Sequence, residues 1–281
     1  MEKSIAEVSI TKISADSRVR QYDKVVVEEP LEIHIEYFDQ GAYKRHQLSV
    51  TMRTPGFDKE LVLGFLLAEG IIKFIDDVGQ VSHFGALEQG AKSRNKLLVK
   101  LNKNVEFSPQ KNIRNFFSSA SCGVCGRASI ESLRNIGPPE EVFDNDIVIS
   151  SAVIKTLPAK TLEGQKLFGL TGGIHSSGVF TFAGEMILCF EDVGRHNSLD
   201  KAVGRLLMES KLPASDKILF LSGRTGFELV QKAYMAGISV ISALGSPSSL
   251  AVELADTKKI TLIGFNHSNG FNIYTEPERI H

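Results

Sequence analysis

Lys217–Phe265 reads KILFLSGRTGFELVQKAYMAGISVISALGSPSSLAVELADTKKITLIGF, and its rhythm decides the fold. KILFL (217–221), SVISA (239–243) and ITLIGF (260–265) are short apolar, β-branched runs. That is the pattern of strands covered on both faces. Between them, Thr225–Ala236 and Ser248–Ala255 carry apolar residues at helical spacing. Working outward, Phe271–Tyr274 can add one more short strand. Upstream, SLDKAVGRLLME (198–209) reads as a helix, and Ser177–Phe182 with Glu185–Phe190 as a hairpin turning at Ala183-Gly184. Ala159–Leu170 suits a helix ended by Gly172-Gly173. The resulting order, α-β-β-α-β-α-β-α-β, predicts an α/β fold: a three-layer αβα sandwich with helices on both sheet faces. An opening of α-β-β followed by alternation is the deaminase-like arrangement rather than a plain dinucleotide-binding one. Fold analogy of this kind carries no function by itself.

The first part of the chain has a different texture. KVVVEEP (24–30), LEIHIEY (31–37), QLSVTM (47–52) and KLLVKL (96–101) read as strands. RTPGFDKELVLGFLLAEGII (53–72) reads as one helix, with Asp58 as its cap and Leu61, Val62, Phe65 and Leu66 as its apolar face. This α+β part forms a smaller β-rich N-terminal domain over residues 1–115. A linker follows over 116–150, and the α/β domain covers 151–281. The 281 residues suffice for two such units, at roughly 100–200 residues per domain. There is no internal repeat.

Composition excludes several function classes. The formal net charge of −1 provides no global field to recruit nucleic acid or an anionic membrane. No apolar run reaches the roughly 20 residues of a membrane helix. The segment MEKSIAEVSITKIS lacks the apolar core of a signal peptide, so the expectation is a cytoplasmic protein.

Three cysteines fit a reducing compartment, where a close pair is more often catalytic or metal-binding than a staple. SCGVCG (121–126) sets Cys122 and Cys125 three residues apart in a glycine-flanked loop before a short helix candidate, Ile130–Asn135. A helix N-terminus and the adjacent Arg127 would both favour a thiolate. A structural zinc site normally needs four ligands. Only Cys189 remains, in the apolar strand MILCF, where a buried core thiol is the simpler reading, so no metal site is expected. A thioredoxin-like role is disfavoured because the pair does not follow a βαβ opening.

Three loops at strand-to-helix turns suit an anion. EDVGRHNSLDK (191–201) carries Arg195, His196 and Asn197. LSGRTGFE (221–228) carries Gly223, Arg224 and Thr225, and ALGSPSS (243–249) offers small residues. Ligands of open α/β sheets bind outside the carboxyl ends of strands, and helix starts favour phosphate. The plainer alternative is that Asp192, Thr225 and Ser248 are helix caps and the arginines surface ion pairs. A zinc deaminase would place His-x-Glu at the first turn and a cysteine pair at the second. Asn197-Ser198 and Arg224-Thr225-Gly226 stand there instead, so deamination is not expected.

Taken together, SCGVCG, TGGIH (171–175), EDVGRHNSLDK, SGRTGFELVQK (222–232), SPSSLAVELA (246–255), TLIGF and the upstream MRTPGFDKELVLGFLLAEGII resemble the formate dehydrogenase accessory sulfurtransferase family, FdhD. The resemblance runs from about Val50 to the end of the chain. It implies a cytoplasmic homodimer with a cytidine-deaminase-like second domain. It implies a sulfur carrier that takes persulfide sulfur from a cysteine desulfurase. The sulfur would pass to the molybdenum or tungsten of a bis-molybdopterin guanine dinucleotide cofactor, bound as substrate on its way to formate dehydrogenase. Cys122 would carry the persulfide and Cys125 would assist. Arg195 and Arg224, with their loops, would hold the nucleotide end. Many family members follow the last strand with Phe-x-Arg-x-x-Arg as a cofactor-binding run. Here the run is Phe265-Asn266-His267-Ser268-Asn269-Gly270, so both arginines are replaced and the charge is reduced. Two rival readings remain: a non-catalytic cofactor chaperone for formate dehydrogenase, and a thiol-disulfide oxidoreductase working through Cys122 and Cys125.

Overall fold

The structure is a computed structural model and describes residues 4–87, 89–91, 94–109 and 148–281. Cys122, Cys125, Arg127 and the Ile130–Asn135 helix candidate lie outside the described residues.

The second half builds a six-stranded sheet in the order β12-β11-β10-β9-β7-β8. Its strands are β7 (His175–Thr181), β8 (Met186–Asp192), β9 (Lys217–Leu221), β10 (Val240–Ala243), β11 (Thr261–His267) and β12 (Gly270–Thr275). β9, β10 and β11 run parallel, while β7, β8 and β12 pair antiparallel to their neighbours. Alternation along β9 explains the layers. Ile218 and Phe220 pack with Ile154 and Leu157 of α2 (Ser151–Gly164) on one face. Leu219 and Leu221 join the larger core on the other face. That face is covered by α4 (Arg195–Met208), α5 (Phe227–Met235) and α6 (Ser249–Thr257), and α3 (Phe168–Thr171) is a single turn beside the sheet. In α4, Leu199, Ala202, Val203 and Leu206 are buried at i, i+3, i+4 and i+7, one helical stripe. The expected α/β sandwich with helices on both faces is therefore what this sequence forms.

Three local expectations are corrected. The helix expected at 159–170 begins at Ser151 and continues through Pro158 to Gly164, and a separate turn spans Phe168–Thr171. Pro158 lacks the N–H that would bond the Ile154 carbonyl. The Asn266 side chain donates to that carbonyl instead, at 2.8 Å. Asp58 does not cap α1 (Asp58–Ala68); Phe57 precedes the helix without a side-chain cap, and the Asp58 carboxylate pairs with buried Arg53 at 2.9 Å. Of the three caps considered in the second half, only Ser248 is one, accepting from the Ala251 amide; glycines precede α4 and α5.

The first half forms a four-stranded sheet, β4-β3-β6-β5, from β3 (Glu29–Asp39), β4 (Ala42–Arg53), β5 (Val78–His83) and β6 (Lys96–Leu101). The β3–β4 turn uses Gln40 and Gly41 at φ 48° and 87°, as a tight two-residue hairpin requires. Leu31, Ile33 and Ile35 of β3 and Leu97 and Val99 of β6 belong to the same buried cluster as α1 and α4. α1 and α4 cross at two glycines. A Cβ on Gly204 would lie 1.9 Å from the Glu60 carbonyl oxygen, and one on Gly64 would lie 2.0 Å from that of Asp200. A hairpin that the periodicity did not indicate, β1 (Ile5–Ser14) with β2 (Ser17–Val26), forms a separate two-stranded sheet with mostly exposed side chains.

Candidate functional site

A cleft of about 580 Å³ opens outside the carboxyl ends of β9 and β10, where Ser222 and Leu244 begin their loops. This volume lies in the usual range for a small-molecule site, and the location is where parallel α/β sheets bind ligands. Its walls are mainly apolar, with Leu162 of α2, Phe168 of α3 and Phe220 of β9 among them. His175, Ser222 and Gln165 supply polar groups.

The loops at this end are stitched together by their backbones. The Gly245 amide donates to the Gly223 carbonyl at 3.2 Å, and the Phe265 amide donates to the Gly245 carbonyl at 3.2 Å. The Thr225 amide donates to the Ser246 carbonyl, and the Ser248 amide donates to the Thr225 carbonyl. Gly245 has to be glycine here, because a Cβ would sit 2.8 Å from the Arg224 Cα. The turns after β9 and β10 and the end of β11 are thus joined, bringing Gly223, Arg224 and Phe265 to one side of the sheet end.

Arg195 reaches the same region from the first position of α4. A Cβ on Gly223 would lie 3.3 Å from His175 Nδ1 and 3.9 Å from Arg195 Cδ, so the three residues converge. The Arg195 Nε is buried and has no hydrogen-bond partner among the described residues. A buried guanidinium nitrogen without an acceptor is costly unless something accepts from it. Burial, then the Arg195 charge, lowers the His175 pKa and favours the neutral imidazole. His175 was missed as a site residue in the sequence, although TGGIH was a visible motif.

The remaining expected residues divide. Arg224 is exposed, whereas the Thr225 side chain is buried and its Oγ1 has no partner among the described residues. His196 pairs through Nε2 with Glu228 at 3.1 Å. That contact favours the charged ring, but burial, with help from Lys232, Arg195 and His175, outweighs it and lowers the pKa to about 3. Asn197 is committed to the interior. Its amide donates to the Met52 carbonyl at 2.7 Å and to Asp192 Oδ1 at 3.1 Å, and its Oδ1 accepts from Thr51 at 3.3 Å. Asn266 is likewise fully buried, donating to Ile154 and to Ser242 Oγ. Both asparagine side chains are thus engaged in fastening the fold. Phe265 is exposed at φ 53°, a strained conformation for a bulky residue. Exposed His267, Ser268 and Asn269 lead round the β11–β12 turn to Gly270, with His267 paired to Gly270.

Behind the cleft, two buried lysines, one on α4 and one on α5, are held in ion pairs. Lys201 pairs with Asp192 at 2.6 Å and also donates to the Thr54 carbonyl. Lys232 donates to both carboxylate oxygens of Asp200, at 2.7 and 2.9 Å. Thr54 completes the bridge between the halves: its amide donates to Asp192 at 3.1 Å, and its hydroxyl accepts from the Val193 amide at 3.1 Å. These contacts fix the start of α4, and hence Arg195, without occupying the cleft.

The third cysteine, Cys189, is half-buried on β8, and burial, with the Glu191 charge, pushes its thiol up to about 12. Among the described residues, no helix is long and apolar enough to cross a membrane.

The model of the FdhD/NarQ family matches residues 26–281. A relative from Sulfurisphaera tokodaii, named sulfur carrier protein FdhD, is 42% identical over 276 residues, covering 98% of this chain and 99% of the relative. The protein of the same name from Mycolicibacterium paratuberculosis is 41% identical over 272 residues, covering 96% and 97%. A crystal structure from Desulfotalea psychrophila, proposed there as a formate dehydrogenase accessory protein, superposes with a TM-score of 0.72. It is 22% identical and covers 99% of this chain and 100% of its own, so it speaks to the fold.

Proposed function

The chain belongs to the FdhD/NarQ family, and from that premise we propose that it is a cytoplasmic, homodimeric sulfur carrier serving formate dehydrogenase. It accepts sulfur from a cysteine desulfurase and delivers it to a bis-molybdopterin guanine dinucleotide cofactor bound as substrate. Cys122 carries the persulfide and Cys125 assists.

The acceptance step balances without net oxidation. The Cys122 thiolate attacks the outer sulfur of the donor's Cys–S–S–H. The donor S–S bond breaks, its cysteine leaves as a thiolate, and the outer sulfur stays on Cys122 as a persulfide.

The observation that carries the cofactor half of this reading is the cleft beside Arg195. Its apolar walls suit a planar heterocycle, while His175 and Ser222 offer hydrogen bonds. The unpartnered Arg195 Nε gives an adjoining anion a donor. Arg224 and Phe265 are exposed on the segments tied together through Gly245. The rival readings differ in what the cysteines hold: a chaperone binds cofactor without protein-bound sulfane sulfur, and an oxidoreductase cycles a Cys122–Cys125 disulfide.

Mass spectrometry after incubation with a cysteine desulfurase and cysteine tests the reading. The expected result is one added sulfur on a peptide containing Cys122, absent from Cys122→Ala. Undiminished labelling of that variant sinks the assignment, and a disulfide without added sulfur favours the oxidoreductase.

A further inference from the structure

Glu191 lies on β8, behind the wall of the cleft. Its carboxylate reaches the start of α3, where Oε2 accepts from the Leu167 amide at 2.9 Å and Oε1 from the Phe168 amide at 2.8 Å. Amides at a helix start have no acceptor within the helix. Leu167, which precedes α3, provides no side-chain cap.

What Glu191 holds is a thin wall. α3 is one turn long and ends at Gly172, whose φ of 66° reverses the chain. From there Gly173 and Ile174 lead into His175. Phe168, Gly172, Gly173, Ile174 and His175 all line the cleft. A single helical turn has almost no stability of its own, because nucleation is the costly step. Within it, the Thr171 hydroxyl donates back to the Leu167 carbonyl, a contact that does not fix the turn to the sheet. The charge-assisted pair from Glu191 does so, and such bonds are about twice as strong as neutral ones.

We propose that Glu191 is a positioning residue for the cleft: by holding the Leu167 and Phe168 amides it sets the Phe168–His175 wall against which the nucleotide end of the cofactor binds. The proposal rests on the cofactor reading of the cleft given above. Glu191 acts through the wall, and its negative charge is used up on two amides, so it need not repel an anionic ligand.

The test uses the full chain, its Glu191→Ala and Glu191→Gln variants, and guanosine diphosphate as the probe. Two quantities are measured: amide hydrogen exchange at Leu167 and Phe168, and the dissociation constant for the probe. In Glu191→Ala both amides are expected to lose protection while amides of β9 and α4 keep theirs, and the probe is expected to bind about tenfold more weakly. Glu191→Gln retains one good acceptor and should recover part of both effects. A purely structural role would lower protection across the sheet and leave the affinity of the folded fraction unchanged, which would overturn the proposal. Unchanged exchange at the two amides would overturn it as well. If the wild type does not bind the probe at all, the nucleotide reading of the cleft fails, and the proposal falls with it.

Discussion

The Asn266 side-chain amide donates at 2.8 Å to the Ile154 carbonyl, the acceptor that Pro158 leaves without its helical partner. A residue near the end of the last parallel strand thus repairs a helix that begins more than a hundred positions earlier. Replacing Asn266 with Ala should leave that carbonyl buried and unpaired, at a cost of about 1–3 kcal/mol. Urea unfolding of the variant measures this. A stability equal to wild type would show that the contact does not hold α2.

This repair also explains what could be read in the sequence and what could not. KILFL, SVISA and ITLIGF announced β9, β10 and β11 because strands covered on both faces read as short, mostly apolar β-branched runs. α2 was placed too late because a proline normally ends a helix, and the compensating donor is remote in sequence. The β1–β2 hairpin escaped notice because its side chains are mostly exposed and leave no core periodicity. The site was legible where it is local: Arg195, Gly223 and Arg224 fall at strand-to-helix turns. His175 was not, because it reaches the cleft only through the antiparallel pairing of β7 with β9. Asn197 and Asn266 stand in motifs of ligand-binding type, yet their partners lie inside the protein.

The Asp200–Lys232 pair is buried between α4 and α5. Removing one partner strands the other charge, and losses of about 3–5 kcal/mol are typical of such a break. Asp200→Asn should come near the lower bound, because Glu69 and Glu228 also stabilise the Lys232 charge. Guanidinium titration checks the loss, and a joint Asp200→Leu, Lys232→Met variant should recover most of it.

Acid should destabilise the fold through His196. Its pKa in the folded chain is depressed from 6.5 to about 3, so between those values the unfolded chain binds more protons. Stability is therefore complete above about pH 6.5 and declines as pH falls toward 3, by at most about 1.4 kcal/mol per unit. His175 shifts in the same direction and adds to the slope. Unfolding free energies at pH 7 and pH 5 should differ by less in His196→Gln than in the wild type. Equal differences would discount the buried neutral ring.

Cys189 should be a bystander. With its thiol pushed up to about 12, almost none is ionised near neutrality. Cys189→Ala should load sulfane sulfur to the wild-type level. Iodoacetamide at pH 8 should modify Cys189 at least about a hundredfold more slowly than an exposed cysteine. Loss of loading in this variant would move sulfur chemistry onto β8.

Gly64 and Gly204 should tolerate nothing larger. A Cβ at either position would meet a backbone carbonyl oxygen at 2.0 or 1.9 Å, so the helices would have to separate. Gly64→Ala or Gly204→Ala should cost about 3 kcal/mol or more. Gly169→Ala, where a Cβ meets nothing within 4 Å, is the control and should stay near wild type. Thermal melting of the three variants decides it.

The seam between α1 and α4 has a consequence for how the protein can be divided. Leu61, Val62 and Leu66 on one side and Leu199, Val203 and Leu206 on the other share one buried cluster. Neither the stretch ending at residue 109 nor the stretch starting at residue 148 has a finished interior without the other. Expressed as separate polypeptides, the two pieces should be inseparable tenants of one interior: each alone insoluble or loosely collapsed, and both together reconstituting a molecule with the Arg195 cleft intact.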